Sequence, residues 1–101
     1  MTFRSLSCLA ALALPAAAAQ ALTPADVAVL AGPCAACHGP DGHSPGAIPA
    51  IAGRAEEHLA TRMFAFRDGQ DPAATVMPRL MKGYDEAQIR ALAKWFAEGR
   101  Q

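Results

Sequence analysis

Apolar side chains recur at helical spacing in three segments of this chain, separated by stretches rich in glycine and proline. The repeating positions are Val27, Leu30 and Ala31; Leu59, Met63 and Phe66; and Ile89, Leu92, Ala93 and Phe96. No segment alternates β-branched and polar residues in the way that predicts a strand. The pattern therefore predicts an all-α fold with three main helices.

Local signals predict where these helices begin and end. Thr23 can cap the first helix, with Pro24 at its first position, and Gly32-Pro33 is expected to end or kink it. The second helix is predicted over residues 54–67, with Asp68-Gly69 stopping it.

The last predicted helix has the fullest set of end signals. Asp85 and Gln88 have the spacing of a capping box, and Tyr84 and Ile89 have that of a hydrophobic staple. Gly99 is expected to end this helix.

Two long connections carry no helical periodicity. Residues 39–53 contain four glycines and three prolines, and residues 70–83 carry Met77 followed by Pro78. A loop of this length is unusual in a compact domain. It is expected where a segment wraps around a bound cofactor.

Residues 1–21 have the features of a secretory signal peptide. Arg4 precedes an apolar stretch over residues 6–14, and Ala19-Gln20-Ala21 offers a cleavage site before Leu22, with cleavage before Gln20 as the alternative. The stretch is shorter than the roughly 20 apolar residues of a membrane span. We therefore expect residues 22–101 to be one exported periplasmic domain without a membrane span.

Composition narrows the function of residues 22–101. Eight Arg and Lys against nine Asp and Glu leave a formal charge of −1, which argues against nucleic-acid binding. Eighty residues bury too little apolar area for more than marginal stability, so a covalent link or a bound cofactor is expected to stabilise the fold. With Cys8 in the signal segment, only Cys34 and Cys37 remain.

Residues 34–38 read CAACH, a spacing that indicates covalent attachment of a c-type haem in an exported protein. On a helical turn, one face carries Cys34, Cys37 and His38, so their two thiols and imidazole can reach the same porphyrin. The alternatives are a thioredoxin-like dithiol and half of a zinc site. A dithiol motif lacks its βαβ setting here, and zinc would find only His43 and His58 besides the motif.

A second axial ligand would decide between electron transfer and small-ligand binding. Met77 is the favoured candidate because a loop followed by Pro78 can present a side chain end-on, with Met81 next. Met63 fits core packing better. His43, His58 and an open position are the remaining choices.

The chain from residue 22 onward resembles class I c-type cytochromes. The resemblance is carried by residues 34–42 (CAACHGPDG), residues 49–53 (PAIAG), the Met77-Pro78 pair and residues 91–96 (ALAKWF). It implies the class I cytochrome c fold, with three main helices and long loops around one covalent haem c. It also implies an electron carrier with no substrate-turnover site of its own.

The resemblance implies a role for five residues. Cys34 and Cys37 would form the thioethers, His38 would be the proximal axial ligand of the iron and Met77 the distal one. The carbonyl of Pro49 would accept a hydrogen bond from Nδ1–H of His38.

Residues 75–84 (TVMPRLMKGY) and 44–49 (SPGAIP) are similar to the cytochrome subunits of flavocytochrome c sulfide dehydrogenases, although Pro78 stands where those often have glycine. This likeness implies an FAD-containing, sulfide-oxidising flavoprotein partner. Alternatives are a free monohaem shuttle in a respiratory or photosynthetic chain, a haem-based ligand binder or sensor, and a haem-free dithiol oxidoreductase. Arg79 and Lys82 would either neutralise the haem propionates, face a partner or be solvated.

Overall fold

The computed structural model describes residues 12–15 and 20–99 of the 101-residue chain. It contains the helices α1 (Pro24–His38), α2 (Glu56–Arg67), α3 (Met77–Met81) and α4 (Glu86–Ala97), and a 3-10 turn over Pro40–Gly42. No strand occurs within these two described ranges. The predicted all-α class is therefore confirmed.

Most of the predicted signal peptide, residues 1–11 and 16–19 with Cys8, lies outside the described residues, so the division into residues 1–21 and 22–101 stays a prediction. Of the helices in the described part, none has the length and hydropathy needed to traverse a bilayer.

The start of α1 forms as its sequence predicts. The amide of Asp26 donates to Oγ1 of Thr23 over 3.2 Å, and the amide of Thr23 donates to Oδ2 of Asp26 over 2.8 Å. This reciprocal pair satisfies two backbone donors that a helix start leaves without partners. It also sets the register of the helix that carries residues 34–38.

Pro33 does not end α1, which corrects one of the two outcomes expected at Gly32-Pro33. The helix runs through Pro33 to His38, where Gly39 ends it with a φ of 80°. Proline costs a helix the bond to the carbonyl four residues earlier, here Val29. Val29 is 78% exposed and so lies on the solvent-facing side of α1, where a carbonyl without a partner in the helix costs least. Cys34, Cys37 and His38 consequently lie on a continuous helix.

A second correction concerns residues 70–83, which are not irregular throughout. Residues 77–81 form α3, with Met77 and Pro78 in its first turn. Proline is compatible there because amides of a first turn have no partner within the helix. Met77 is therefore presented by the start of a short helix.

The other two helices agree closely with prediction. Helix α2 begins at Glu56, two residues later than expected, and Gly69 follows it with a φ of 69°. Asp85 caps α4, because its carboxylate accepts a hydrogen bond of 2.8 Å from the amide of Gln88. In return, the side-chain oxygen of Gln88 accepts a hydrogen bond from the amide of Asp85. Gly99 follows the end of α4 in a left-handed conformation.

The core forms where α4 packs against α1 and α2, and α2 in turn packs against α3. Its buried residues are apolar: Val27, Ala31, Leu59, Ala60, Met63, Met81, Ile89, Leu92, Ala93 and Phe96. The predicted apolar face of α4 is thus entirely buried. Tyr84 links the start of α4 to α1 through a hydrogen bond from its hydroxyl to the carbonyl of Leu30, 2.9 Å long.

Candidate functional site

A cavity of about 560 Å³ opens between the helices and the loop that follows α1. This volume lies within the range of small-molecule and cofactor sites. Its lining residues are Pro33, Cys34, Cys37, His38, Ile48, Pro49, Ile51, Arg54, His58, Leu59, Arg62, Met63, Phe66, Val76, Met77, Leu80, Met81, Tyr84 and Leu92. Most of them are apolar, so the cavity suits a large and mostly apolar ligand.

The last turns of α1 bring the predicted motif residues to this cavity. Cys34, Cys37 and His38 all line it, as expected for positions i, i+3 and i+4 of a helix. Their common face depends on α1 continuing beyond Pro33.

The ring of His38 is held by the loop that follows α1. Its Nδ1 lies 2.6 Å from the carbonyl oxygen of Pro49. A carbonyl can only accept, so Nδ1 carries the proton in this bond. The lone pair of Nε2 is then available to a metal ion, because the hydrogen bond of one ring nitrogen selects the role of the other.

Arg54 fixes the segment next to Pro49. Its Nε–H donates to the carbonyl of Ala50 over 2.7 Å. Two consecutive carbonyls, those of Pro49 and Ala50, are thus bonded to side chains that line the cavity. The sequence reasoning did not identify Arg54.

The loop is also fastened at two glycines. The amides of Ile51 and Ala52 donate to the carbonyl of Gly42, and the amide of Gly53 donates to the carbonyl of Phe96 over 2.8 Å. The bonds to Gly42 close the loop on itself, and the bond from Gly53 fastens it to the C-terminal end of α4. Pro49 therefore lies in a loop with fixed ends.

Three methionine side chains reach the cavity, so the lining alone does not single one out. Met77 is half-buried at the start of α3, whereas Met81 and Met63 are 2% and 6% exposed and belong to the core. The expectation that Met63 packs in the core is confirmed.

The two other histidines occupy different places. His43 is exposed and does not line the cavity, and His58 is exposed and lines it from α2. Arg79 and Lys82, which the sequence offered as neutralising groups, do not line the cavity, whereas Arg54 and Arg62 do. Cationic or titratable side chains recur every four residues at positions 54, 58 and 62. This spacing was the sequence signal that could have identified these cavity-lining residues.

The surroundings of Cys34 disfavour a redox-active dithiol. Burial raises the pKa of the Cys34 thiol above its ordinary value. Reactive dithiols depend on the opposite shift, which populates the thiolate. For the zinc alternative, no group of three or more His, Cys, Asp or Glu comes together within residues 12–15 and 20–99.

Known proteins resemble part of this chain. The family model described as cytochrome c matches residues 25–99. The cytochrome subunit of sulfide dehydrogenase from Chlorobaculum tepidum is 41% identical over 63 residues, which cover 62% of this chain and 56% of that protein.

A second relative is cytochrome c4 of Pseudomonas aeruginosa, 34% identical over 65 residues, which cover 63% of this chain and 32% of that protein. The matches thus span little more than half of one relative and about a third of the other. Because the family match takes in all four helices and the cavity between them, the chain belongs to the cytochrome c family.

Proposed function

We propose that this chain carries single electrons through one covalently bound haem c, with His38 and Met77 as the axial ligands of the iron. Membership of the cytochrome c family supports electron transfer and a haem cofactor. The observation that carries the ligand assignment is the shared cavity wall of Cys34, Cys37 and His38, with Nδ1 of His38 bonded to Pro49.

The residues around the cavity fit a haem. A c-type haem requires two thiols that form thioethers with the porphyrin, and an imidazole and a methionine sulfur that bind the iron. All of these groups line the cavity, and the remaining lining is mostly apolar. When bound, haem c supplies an iron that alternates between the ferrous and ferric states.

Each side chain of the site has a definite task. Cys34 and Cys37 would bond the porphyrin covalently and prevent its loss. Pro49 would keep the His38 ring in one orientation and one tautomer, and its hydrogen bond would increase the donor strength of Nε2. A ligand set that stays the same in both oxidation states would keep the rearrangement on electron transfer small.

Met77 is the proposed distal ligand rather than Met81 or Met63. All three side chains border the cavity, but those of Met81 and Met63 are buried in the core, whereas Met77 is half-buried at the start of α3. A ligand must present its sulfur to the iron, and Met77 can do so without removing a side chain from the core.

For the partner, we propose a sulfide-oxidising flavoprotein, with the protein exported to the periplasm. The support is the 41% identity to a cytochrome subunit of sulfide dehydrogenase and the signal-peptide pattern of residues 1–21. The substrate chemistry would then belong to the flavoprotein, and this chain would be an electron carrier. A free-standing cytochrome shuttle is the alternative.

Covalent haem is tested by haem staining on a denaturing gel after co-expression with a cytochrome c maturation system. We expect the native chain to stain and Cys34→Ala/Cys37→Ala to lose the stain. An unstained native chain would contradict the proposal.

The distal ligand is tested by comparing Met77→Ala with Met81→Ala as the matched control. We expect Met77→Ala to lose the long-wavelength charge-transfer band of methionine-bound ferric haem and its ferrous form to bind carbon monoxide. Met81→Ala should keep the band, although with a less stable core. Loss of the band in Met81→Ala alone would reassign the ligand. Carbon monoxide binding by the native ferrous protein would favour a ligand binder.

The partner is tested by purifying the protein from its native host under mild conditions and recording flavin and haem spectra. A flavoprotein that co-purifies and reduces the haem when sulfide is added is the expected result. Haem protein that elutes alone and stays oxidised with sulfide would favour the free shuttle.

A further inference from the structure

Residues 68–76, here called the α2–α3 segment, join α2 to the helix that begins at Met77. The amide of Gln70 donates to the carbonyl of Ala65 in α2 over 2.9 Å, but no backbone hydrogen bond of residues 71–75 reaches another described part of the chain. Helix α3 has five residues, too few to hold its place by its own hydrogen bonds. Whatever fastens the α2–α3 segment therefore also fastens Met77.

The carboxylate and the carbonyl of Asp71 together close a turn in this segment. Residues 71–74 read DPAA, and Asp followed by Pro is the preferred start of a type I turn. The amide of Ala74 donates to the carbonyl of Asp71 over 3.2 Å, and the amide of Ala73 donates to its Oδ1 over 3.2 Å. Asp71 thus fixes the shape of the turn.

The other carboxylate oxygen of Asp71 fastens this turn to α2. Nη2 of Arg62 lies 2.7 Å from Oδ2 of Asp71. Among the described residues, this is the sole side-chain hydrogen bond or ion pair that joins residues 70–76 to another element. The guanidinium also lies 4.7 Å from the ring centre of Phe66, one turn further along α2, which restricts its position.

The pair is charged at neutral pH. The hydrogen bond from Arg62 is the main reason why the pKa of the Asp71 carboxyl lies below its ordinary value. The bond between the two side chains exists only while the segment lies against α2, so it favours that arrangement over an open one.

We propose that Asp71 is a positioning residue for the distal ligand, because its bond to Arg62 holds the α2–α3 segment closed and keeps Met77 at the cavity. The inference rests on the proposed ligation of the iron by His38 and Met77. Asp71 does not line the cavity, so it acts on the ligand through the segment and not by touching the cofactor.

The test is imidazole binding by the ferric, haem-loaded protein, followed by stopped-flow absorbance. At saturating imidazole, the rate is limited by the departure of Met77 from the iron. Asp71→Asn keeps an oxygen for the turn but removes the charge, and Asp71→Ala removes both. Asp68→Asn is the matched control, because its partner Arg67 is its neighbour in sequence and the pair joins no separate elements. Thr23→Ala removes the cap of α1, far along the chain from the segment.

We expect Asp71→Asn to raise the limiting rate about two- to fivefold, the range that one exposed ion pair supports. Asp71→Ala should raise it further, and Asp71→Glu, which keeps the carboxylate, should restore most of the native rate. Asp68→Asn should bind imidazole at the native rate. Thr23→Ala should do so as well, although it unfolds at lower urea concentration. This contrast separates the hold on Met77 from overall stability.

The inference is wrong if Asp71→Asn and Asp71→Ala bind imidazole at the native rate, or if Thr23→Ala accelerates binding as much as they do. Should Asp71→Ala fail to take up haem, Asp71→Asn and Asp71→Glu decide the question. A native ferric protein without the charge-transfer band of bound methionine refutes the proposed ligation itself. A native protein that shows this band, with variants that leave the rate unchanged, refutes only the role of Asp71.

Discussion

At the scale of single residues, Gly42 joins the loop after α1 to α4. It has a φ of 80°, and a Cβ atom there would lie 2.7 Å from Cγ1 of Ile51 and 2.9 Å from Cδ1 of Phe96. Phe96 is fully buried, so it has little room to move. Both the backbone conformation and the close packing therefore require glycine.

We predict that Gly42→Ala lowers the free energy of unfolding by about 2–4 kcal/mol, combining left-handed strain with overpacking. Gly46→Ala is the matched control, because nothing lies within 4 Å of a Cβ at Gly46 and its φ is not in the left-handed range. Urea unfolding of both haem-loaded variants measures the difference. Equal stability of the two variants would show that the loop relaxes freely around Gly42.

Tyr84 connects two elements through one hydroxyl group, and its bond to the carbonyl of Leu30 spans the join between α1 and the start of α4. Burial raises the pKa of Tyr84 above its ordinary value. Its contribution to stability is therefore present below the unfolded pKa of about 10 and is lost as the pH rises through the higher folded pKa.

Tyr84→Phe is expected to be about 1 kcal/mol less stable than the native protein at pH 7, because one hydrogen bond is lost. The gap should shrink as the pH rises above about 10, because ionisation then destabilises only the native protein. Urea unfolding at pH 7 and at alkaline pH measures both gaps. A gap that stays constant would mean that the pKa of Tyr84 does not differ between the folded and the unfolded protein.

At the scale of helices, the capping boxes show how local chemistry fixes the ends of an element. Asp85 accepts from the amide of Gln88, and the Gln88 side chain accepts from the amide of Asp85. Helix α4 supplies four of the buried core residues. Its register matters because a shifted start would turn Ile89 and Leu92 away from the core.

We predict that Asp85→Ala costs about 1 kcal/mol of stability, the usual effect of removing such a cap. Asp85→Asn should retain most of it, because an amide oxygen can still accept from the amide of Gln88. Thermal unfolding of the three proteins measures the order of stability. If the Asn variant were as unstable as the Ala variant, the charge of Asp85 would matter more than its hydrogen bond.

Helix ends were predictable to the extent that their signals are local. Thr23 and Asp85 mark the starts of α1 and α4 through side chains that bond amides three residues away. Pro33 was misleading, because its cost depends on whether the carbonyl of Val29 can reach water, and that follows from the packing of α1. Helix α3 was missed because five residues are too few to show periodicity.

At the scale of the whole molecule, sequence alone could predict the part of the site that lies within one short segment of the chain. Residues 34–38 form a continuous motif, and their common face follows from helix geometry. The bond between His38 and Pro49 was expected only through resemblance to class I cytochromes, since eleven residues separate the two. Arg54 and Arg62 were not identified, because their approach to the cavity depends on how α2 and the loop before it pack.

The cavity occupies much of what would otherwise be the core. Of the ten buried apolar residues in the described part of the chain, four also line it, namely Leu59, Met63, Met81 and Leu92. In a domain of about 80 residues, the apolar area buried among side chains is marginal for stability. A haem that filled about 560 Å³ would therefore complete the core as well as carry the electron.

We predict that Cys34→Ala/Cys37→Ala purified without haem has no cooperative thermal transition and a weak near-UV circular dichroism spectrum. The four buried residues on the cavity wall would then face water or a void, which removes a large share of the burial that stabilises the fold. Cys34→Ala alone, which keeps one thioether, is the control and should unfold cooperatively. Calorimetry decides the matter, because a haem-free double variant that unfolds at the midpoint of the loaded protein would mean that the helices alone make a sufficient core.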